Sequence, residues 1–214
     1  MIRELKNREY KDLILNYHYA KRMPSVSFAY GYFENNELIG VVTFGKPASN
    51  SLCKGICGEQ YASKVYELNR VVFKKRIKNK PSELVAYALR KLKQHNLIIV
   101  SYSDMAMNHH GYIYQATNWM YTGLTKGRTD KYVPKGKHSR HYNDDNNSHL
   151  RVVRSEKHRY VYFATNKTLK KELMRALNSD IIEKYPKGDN ETYVLGSEQS
   201  RIILNKHTGE YYKD

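Results

Sequence analysis

The sequence predicts an α/β fold, with a mixed central sheet flanked by helices, and three observations carry that prediction. Strand-like runs alternate with amphipathic helical runs along the first 125 residues. One run, LIIVSYSD at 97–104, is apolar almost without a break and has the length of a strand buried on both faces. A short helical run and a further strand follow it, so the sheet continues past that central strand.

The elements follow in order. Residues 8–20 predict a helix, because Leu13, Ile14 and Tyr17 share one face. Met23-Pro24 ends it, since proline disfavours helix at the residue before it. SFAYGYF (27–33) and LIGVVTFG (38–45) predict two strands joined by a hairpin turn at 34–37. Residues 46–63, rich in Ser, Gly, Asn and Lys, predict a long loop. KVYELNRVVF (64–73) is a third strand. A helix from Pro81-Ser82 to about Gln94 carries the stripe Leu84, Val85, Ala88, Leu89 and Leu92. After the 97–104 strand come the loop MAMNHHG, a short helix at 113–119 and a strand at 120–125. Residues 126–149 hold six Lys and Arg and few apolar side chains, and predict a basic arm. Residues 150–165 predict a strand pair or one long strand, and 169–185 an amphipathic helix stopped by Pro186 and Gly188. The tail is expected to form a small hairpin or to stay loose. The expected division is a catalytic domain over 1–165 and a helix with a short tail over 166–214.

Composition narrows the function. The 214 residues carry 37 Lys and Arg against 21 Asp and Glu, a net charge of +16. Residues 1–124 contribute +9, residues 125–164 +6 and residues 165–214 only +1. A field of this sign and placement attracts a polyanion, above all nucleic acid. No apolar run approaches the ~18–20 residues that span a bilayer, and no basic amphipathic helix points to a membrane surface. The opening MIRELKNREYKD has no apolar core, which argues against a secretory signal. Two cysteines, Cys53 and Cys57, form neither a disulfide framework nor a zinc site and suit a reducing cytoplasm.

Chemistry concentrates at strand ends, where α/β sheets gather their sites. Arg70-Val71-Val72 closes one strand and leads into KKRIKNK (74–80), which holds five basic residues in seven. With Arg76, Lys78 and Ser82 near a helix N-terminus, this segment reads either as an anion site, for a cofactor phosphate or a nucleic-acid backbone, or as a solvated loop. Asp104 closes the apolar strand, and reads either as a ligand or as a capping carboxylate. His18-Tyr19 end the first helix, and His109-His110 follow Asp104 closely. No H-x3-H or HExxH pattern occurs, so a zinc-protease reading fails. A site of one His, one Asp and one or two Tyr is oxygen-rich and suits iron better than structural zinc. Trp119 has two readings, core packing with Ile113, Ala116 and Met120, or stacking on an extruded base.

Several blocks taken together resemble the Mom family of phage proteins that modify adenine in DNA. They are NYHYAKRMP (16–24), YGYFENNELIGVVTFG (30–45), VYELNRVVF (65–73), LRKLKQHNLIIVSYSD (89–104), HHGYIYQATNWMYTG (109–123) and KHRYVYF (157–163). The resemblance implies a divergent GNAT acetyltransferase fold and conversion of adenine to N6-carbamoylmethyladenine, which protects phage DNA from host restriction enzymes in the host cytoplasm. It implies an iron site and catalytic set at the matching residues His18, Tyr19, Asp104 and Tyr114, with Tyr114 at the general-acid position of GNAT enzymes. It implies acetyl-CoA or another carbamoylmethyl donor, held near Arg70, Val71, Val72, Arg76, Lys78 and Ser82. Only Arg76 of the GNAT pyrophosphate loop is kept; Pro81 has no N–H to offer a phosphate, and Asn79 lacks glycine's freedom. The expected partner is double-stranded DNA, its phosphates met by Lys21, Arg22, Lys126, Arg128, Lys131, Lys135, Lys137 and Arg140. Two rivals stand beside this reading: a conventional GNAT acting on a small-molecule or protein amine, and a non-catalytic DNA binder.

Overall fold

The computed structural model describes residues 1–6, 8–134, 142, 145–189, 196 and 200–214. In chain order the elements are β1 (Ile2–Glu4), α1 (Lys11–Tyr17), β2 (Phe28–Glu34), β3 (Glu37–Gly45), α2 (Asn50–Cys57), β4 (Val65–Phe73), α3 (Lys80–Leu92), β5 (Leu97–Asp104), α4 (Tyr112–Ala116), β6 (Met120–Leu124), β7 (Arg128–Lys131), β8 (Leu150–Arg154), β9 (Lys157–Ala164), α5 (Lys167–Ala176), β10 (Ile202–Asn205) and β11 (Tyr211–Lys213). The main sheet has seven strands in the order β1-β2-β3-β4-β5-β9-β6. Its pairs are antiparallel except β4–β5, which is parallel. The α/β class with a mixed, helix-flanked sheet is therefore the one the sequence predicts.

The side-chain alternation of the strands sorts the core onto two faces. Leu84, Val85, Ala88, Leu89 and Leu92 of α3 pack on Val42, Phe44, Ile99 and Trp119. On the opposite face α1 sets Leu13 and Ile14 against Val41 and Val72. On that same face α2 and α5 set Cys53, Ile56, Cys57 and Leu173 against Val65, Ile98, Val100 and Val161. Trp119 is 1 % exposed and sits in the α3-side cluster, so its core reading holds.

Three boundaries differ from expectation. The 46–63 segment contains α2: Ser49 accepts the Leu52 N–H as its cap, and Cys53, Ile56 and Cys57 form a buried stripe at helical spacing. The helix expected over 169–185 stops at Ala176. Beyond it the chain becomes a strap, with the Ile182 N–H donating to Tyr121 O and Tyr185 Oη to Trp119 O. The last two strands, β10 and β11, join β8 and β7 in a second sheet, ordered β11-β10-β8-β7.

That second sheet grows out of the first. β6 and β9 are paired, and after a short bend their continuations β7 and β8 pair as well. At the bend the Thr125 N–H donates to Lys157 O, and the Lys157 N–H to Thr125 Oγ1.

Candidate functional site

β4 and β5 pair only from Val65↔Ile98 to Glu67↔Val100. Beyond Glu67, β4 stays with β3 as far as Phe73, and β5 stays with β9 as far as Asp104. A wedge therefore opens in the sheet toward the carboxyl ends of both strands. A bulge at Asn69 helps to turn β4 away, because Thr43 faces Arg70 while Phe44 faces Leu68. Asn69 is held there by the Thr43 hydroxyl donating to its Oδ1 at 2.6 Å and by its own Nδ2 donating to Ser25 O at 2.8 Å. Gly45 lets the Ser25 segment approach, since a Cβ there would lie 1.9 Å from Ser25 O.

Ser101 bridges the closed end of the wedge. Its Oγ lies 2.8 Å from both Leu68 O and Tyr114 Oη. The carbonyl only accepts, so the single Ser101 proton goes there and Tyr114 donates to Ser101 Oγ. Tyr114 is buried against Trp119 and Tyr160. Burial pushes its phenol up to about 12. Tyr114 thus carries its proton at the wedge apex rather than lining an open surface.

The open end holds a cavity of about 70 Å³ lined by Tyr17, His18, Tyr19, Val71, Val72, Phe73 and His109. The His18 and Tyr19 rings lie 4.2 Å apart between centroids, tilted by 31°, and Tyr19 meets His109 edge-on at 5.9 Å. The Ala20 N–H donates to His18 Nδ1 at 3.0 Å, which places the remaining ring proton on Nε2. Burial, the Arg70 charge and His109 push His18 down to about 3. Burial also lowers His109, against the pull of Asp104. The cavity is thus walled by neutral, flat rings beside one guanidinium. Arg70 donates Nη1 to Asn69 O at 2.6 Å and Nη2 to Arg22 O at 3.2 Å, so it ties the chain after α1 to β4.

Two carboxylates flank the wedge and differ in kind. Asp104 is 4 % exposed and fully engaged. Its Oδ1 accepts from the Ala106 N–H at 3.0 Å and from Ser155 Oγ, and its Oδ2 accepts from Lys157 Nζ at 2.7 Å. Asp104 therefore caps the turn that leads to His109 and pins the bend from which the second sheet hangs. Glu67, the last residue of the parallel pairing, is opposite Val100 and so lies on the α2 face of the sheet. Burial raises its carboxyl, with Arg70 and Lys157 opposing. Its charge acts in turn on Tyr102 and Tyr114. Glu67 is not among the residues expected from the sequence; its one signal there is a carboxylate inside the otherwise strand-like run VYELNRVVF.

The remaining predicted residues scatter. Val71 and Val72 line the cavity. In the 74–80 loop, Lys74, Lys75 and Lys80 are ion-paired with Glu37, Glu34 and Glu83, while Arg76 and Lys78 are exposed. Ser82 donates its hydroxyl to Asn79 O at 2.9 Å. Lys21 and Arg22 are exposed just after α1, and Lys126, Arg128 and Lys131 are exposed on the bend and β7. Lys135, Lys137 and Arg140 lie outside the described residues.

His18, Tyr19, Asp104 and Tyr114 do not fit an iron site as a set. His18 uses its Nδ1 lone pair on a main-chain N–H and carries a proton on Nε2, Asp104 is occupied by three donors, and Tyr114 is bonded inside the core. Among the described residues no cluster of three or more His, Cys, Asp or Glu is arranged to hold a metal ion. Nor is any described helix long and apolar enough to cross a membrane.

Comparison with known proteins gives a family. The model described as the Mom protein family matches residues 1–187. No curated protein matches. Among solved structures, the chain is similar to a Bacillus subtilis acetyltransferase in complex with CoA, at 18 % identity and TM-score 0.44, covering 76 % of this chain and 97 % of that one. It is also similar to an N-acetyltransferase from Staphylococcus aureus, at 16 % identity and TM-score 0.48, covering 77 % and 98 %. A third is the ribosomal-protein-S18-alanine N-acetyltransferase from Escherichia coli, at 6 % identity and TM-score 0.48, covering 78 % and 94 %.

Proposed function

The chain belongs to the Mom family, and from that premise we propose that it modifies adenine in double-stranded DNA to N6-carbamoylmethyladenine. The observation that carries this reading is the family match over residues 1–187. The wedge and its cavity support it. Flat neutral rings offer a stacking surface to an extruded purine, since an enzyme acting on a base within a duplex must take it out of the stack. The purine is larger than the cavity of about 70 Å³ and would lie across its opening. His18 Nε2–H supplies a donor for a ring nitrogen, and the net charge of +16 favours the polyanion.

The exocyclic amine of adenine is a poor nucleophile, because its lone pair is delocalised into the ring. A base that removes its proton during bond formation is therefore worth most at this site. Glu67 flanks the wedge where β4 and β5 part rather than lining the cavity itself. It is the carboxylate assigned to that task in this reading, because burial raises its proton affinity and, among the described residues, no ion pair within 4 Å holds it. Tyr114 keeps its proton and holds the wedge apex through Ser101.

The donor lies along the wedge in this reading, where a thin thioester arm would run beside β4 with its phosphates near Arg76 and Lys78. Atom balance restricts it. An acetyl thioester supplies two carbons and one oxygen but no nitrogen. Joining its methyl carbon to N6 would also remove two electrons, so an acetyl thioester would need both an oxidant and a nitrogen-bearing co-substrate. A donor that already carries the amide and a leaving group on its CH2 balances alone: the N6–C bond forms as the leaving group departs with its electron pair, and the N6 proton goes to the base.

The test is to express the protein beside a plasmid and analyse the recovered nucleosides by mass spectrometry. An adenosine heavier by one carbamoylmethyl group supports the reading, and unmodified adenine in cells holding soluble protein rejects it. Saturable acetyl-CoA binding with DNA-independent turnover of an amine would favour a conventional acetyltransferase instead.

A further inference from the structure

The second sheet has two faces, and strand register assigns every side chain to one of them. Directly opposed residues of an antiparallel pair share a face. One face holds Arg128 opposite Arg154, then Asp130, Val152, Ile203 and Tyr212 in a row. Val152 and Ile203 are buried there with Leu150. Asp130 pairs with Arg154 at 2.8 Å and Arg128 at 3.4 Å, so one carboxylate offsets one of the two guanidinium charges there.

The other face is different. One row reads Thr129, Val153, Ile202, Lys213, and the next Lys131, Arg151, Leu204, Tyr211. Among the described residues it carries three cations and no carboxylate, and Lys131 Nζ also donates to Tyr142 O at 3.4 Å. Tyr211 is 64 % exposed and Ile202 43 %, so an aromatic and an aliphatic side chain stand among the cations. At ~4.8 Å between strands the face is ~15 Å wide, about four base-pair rises of duplex.

We propose that this outer face, through Lys131, Arg151 and Lys213, is a docking surface for the sugar-phosphate backbone of double-stranded DNA. The proposal rests on the DNA reading above and adds where the duplex lies. Charge complementarity selects the occupant: cations meet phosphates, and Tyr211 and Ile202 pack on the sugars between them. Position supports it as well. The bend that carries this sheet is pinned by Asp104 through Ser155 and Lys157. The carbonyl of the same Asp104 accepts from the His109 N–H at 3.1 Å, and His109 lines the cavity. One residue thus fixes both the docking face and a wall of the cavity. Backbone contacts of this kind set the register of the duplex and leave base reading to the cavity. Arg128, expected from the sequence to meet phosphate, is assigned to the opposite face with Asp130.

The test is fluorescence anisotropy of a labelled duplex across a salt series with three proteins. They are the wild type, the variant Lys131→Gln/Arg151→Gln/Lys213→Gln, and a control, Lys167→Gln/Lys170→Gln/Lys171→Gln, which removes the same charge from α5. Each phosphate contact contributes ~0.9 to the salt slope, so the sheet variant should lose ~2.7 of it, and raising salt from about 50 to about 200 mM should weaken the wild type ~40-fold more than this variant. The α5 control should keep most of the wild-type slope. Thermal melts check that the variants fold, and the single change Lys213→Glu on the terminal strand should weaken binding in the same direction. A wild type that binds duplex while the sheet and α5 variants behave alike overturns the docking face alone. A wild type that does not bind duplex overturns the DNA reading and the docking face together.

Discussion

Two neighbouring strand segments, the middle of β4 and the tip of β5, each carry one carboxylate withdrawn from solvent, half-buried in Glu67 and buried in Asp104, and they have opposite fates. Asp104 at the tip of β5 accepts from a main-chain N–H, a hydroxyl and an ammonium. Glu67 in β4 is opposed only by more distant charges from Arg70 and Lys157, and burial raises its proton affinity. A carboxylate held by three donors on both of its oxygens is a structural pin. One that is desolvated and loosely paired is poised to take a proton. The difference arises from register: Asp104 faces Lys157 directly on β9, whereas Glu67 sits where β4 and β5 begin to part.

The largest expected effect tests the Glu67 side. Glu67→Gln removes the base while keeping its shape, and adenine modification should fall by ~10²-fold or more. The melting temperature should hold or rise, because a costly half-buried carboxylate is gone. Loss of modification together with unfolding would break the contrast.

The Asp104 side comes next. Asp104→Ala strands Ser155, Lys157 and the Ala106 N–H together, at an expected cost of ~2–3 kcal/mol in stability. Hydrogen exchange should quicken at the bend, in 125–131 and 150–157, before it quickens in β4. Equal protection throughout would show that Asp104 pins nothing.

A third test sharpens the account of the cavity. His18 titrates near 3 when folded and near 6.5 when unfolded. Between those values the unfolded chain binds the extra proton, so stability should fall as pH drops through that window, by ~1.4 kcal/mol per pH unit. Urea melts at successive pH values measure the slope, and His18→Gln should flatten it. The smallest effect is at the wedge apex, where Ser101→Ala leaves Leu68 O and Tyr114 Oη unpaired and should cost ~1–2 kcal/mol without shifting the pH profile.

Much of the main sheet was legible because its strands obey simple patterns. LIIVSYSD reads as a doubly covered strand, and the stripe of α3 reads as a helix. The helix α2 was hidden because two of its three buried positions are cysteines and Gly55 interrupts it. The end of α5 was overrun because the apolar spacing continues through Ile181 and Ile182. The main chain there instead turns to bond the edge of β6.

The second sheet depends on partners some 50 residues apart, Ile202 with Val153 among them, and local pattern carries no such register. At the site, the His18-Tyr19 step and His109 were visible as titratable and aromatic residues near element ends, and they meet in one cavity. Asp104 was visible as an acid at a strand end, but its role depended on Ser155 and Lys157 across the sheet. Glu67 escaped because burial, not residue type, gives it its chemistry.

The claim on which the account rests is that this wedge alkylates the N6 amine of adenine in DNA. The direct measurement is nucleoside mass spectrometry on plasmid DNA from cells making the wild type or Glu67→Gln at equal soluble levels. The account predicts carbamoylmethylated adenine with the wild type and a near-complete loss with the variant. Unmodified adenine from the wild type, or full modification by the variant, would contradict it.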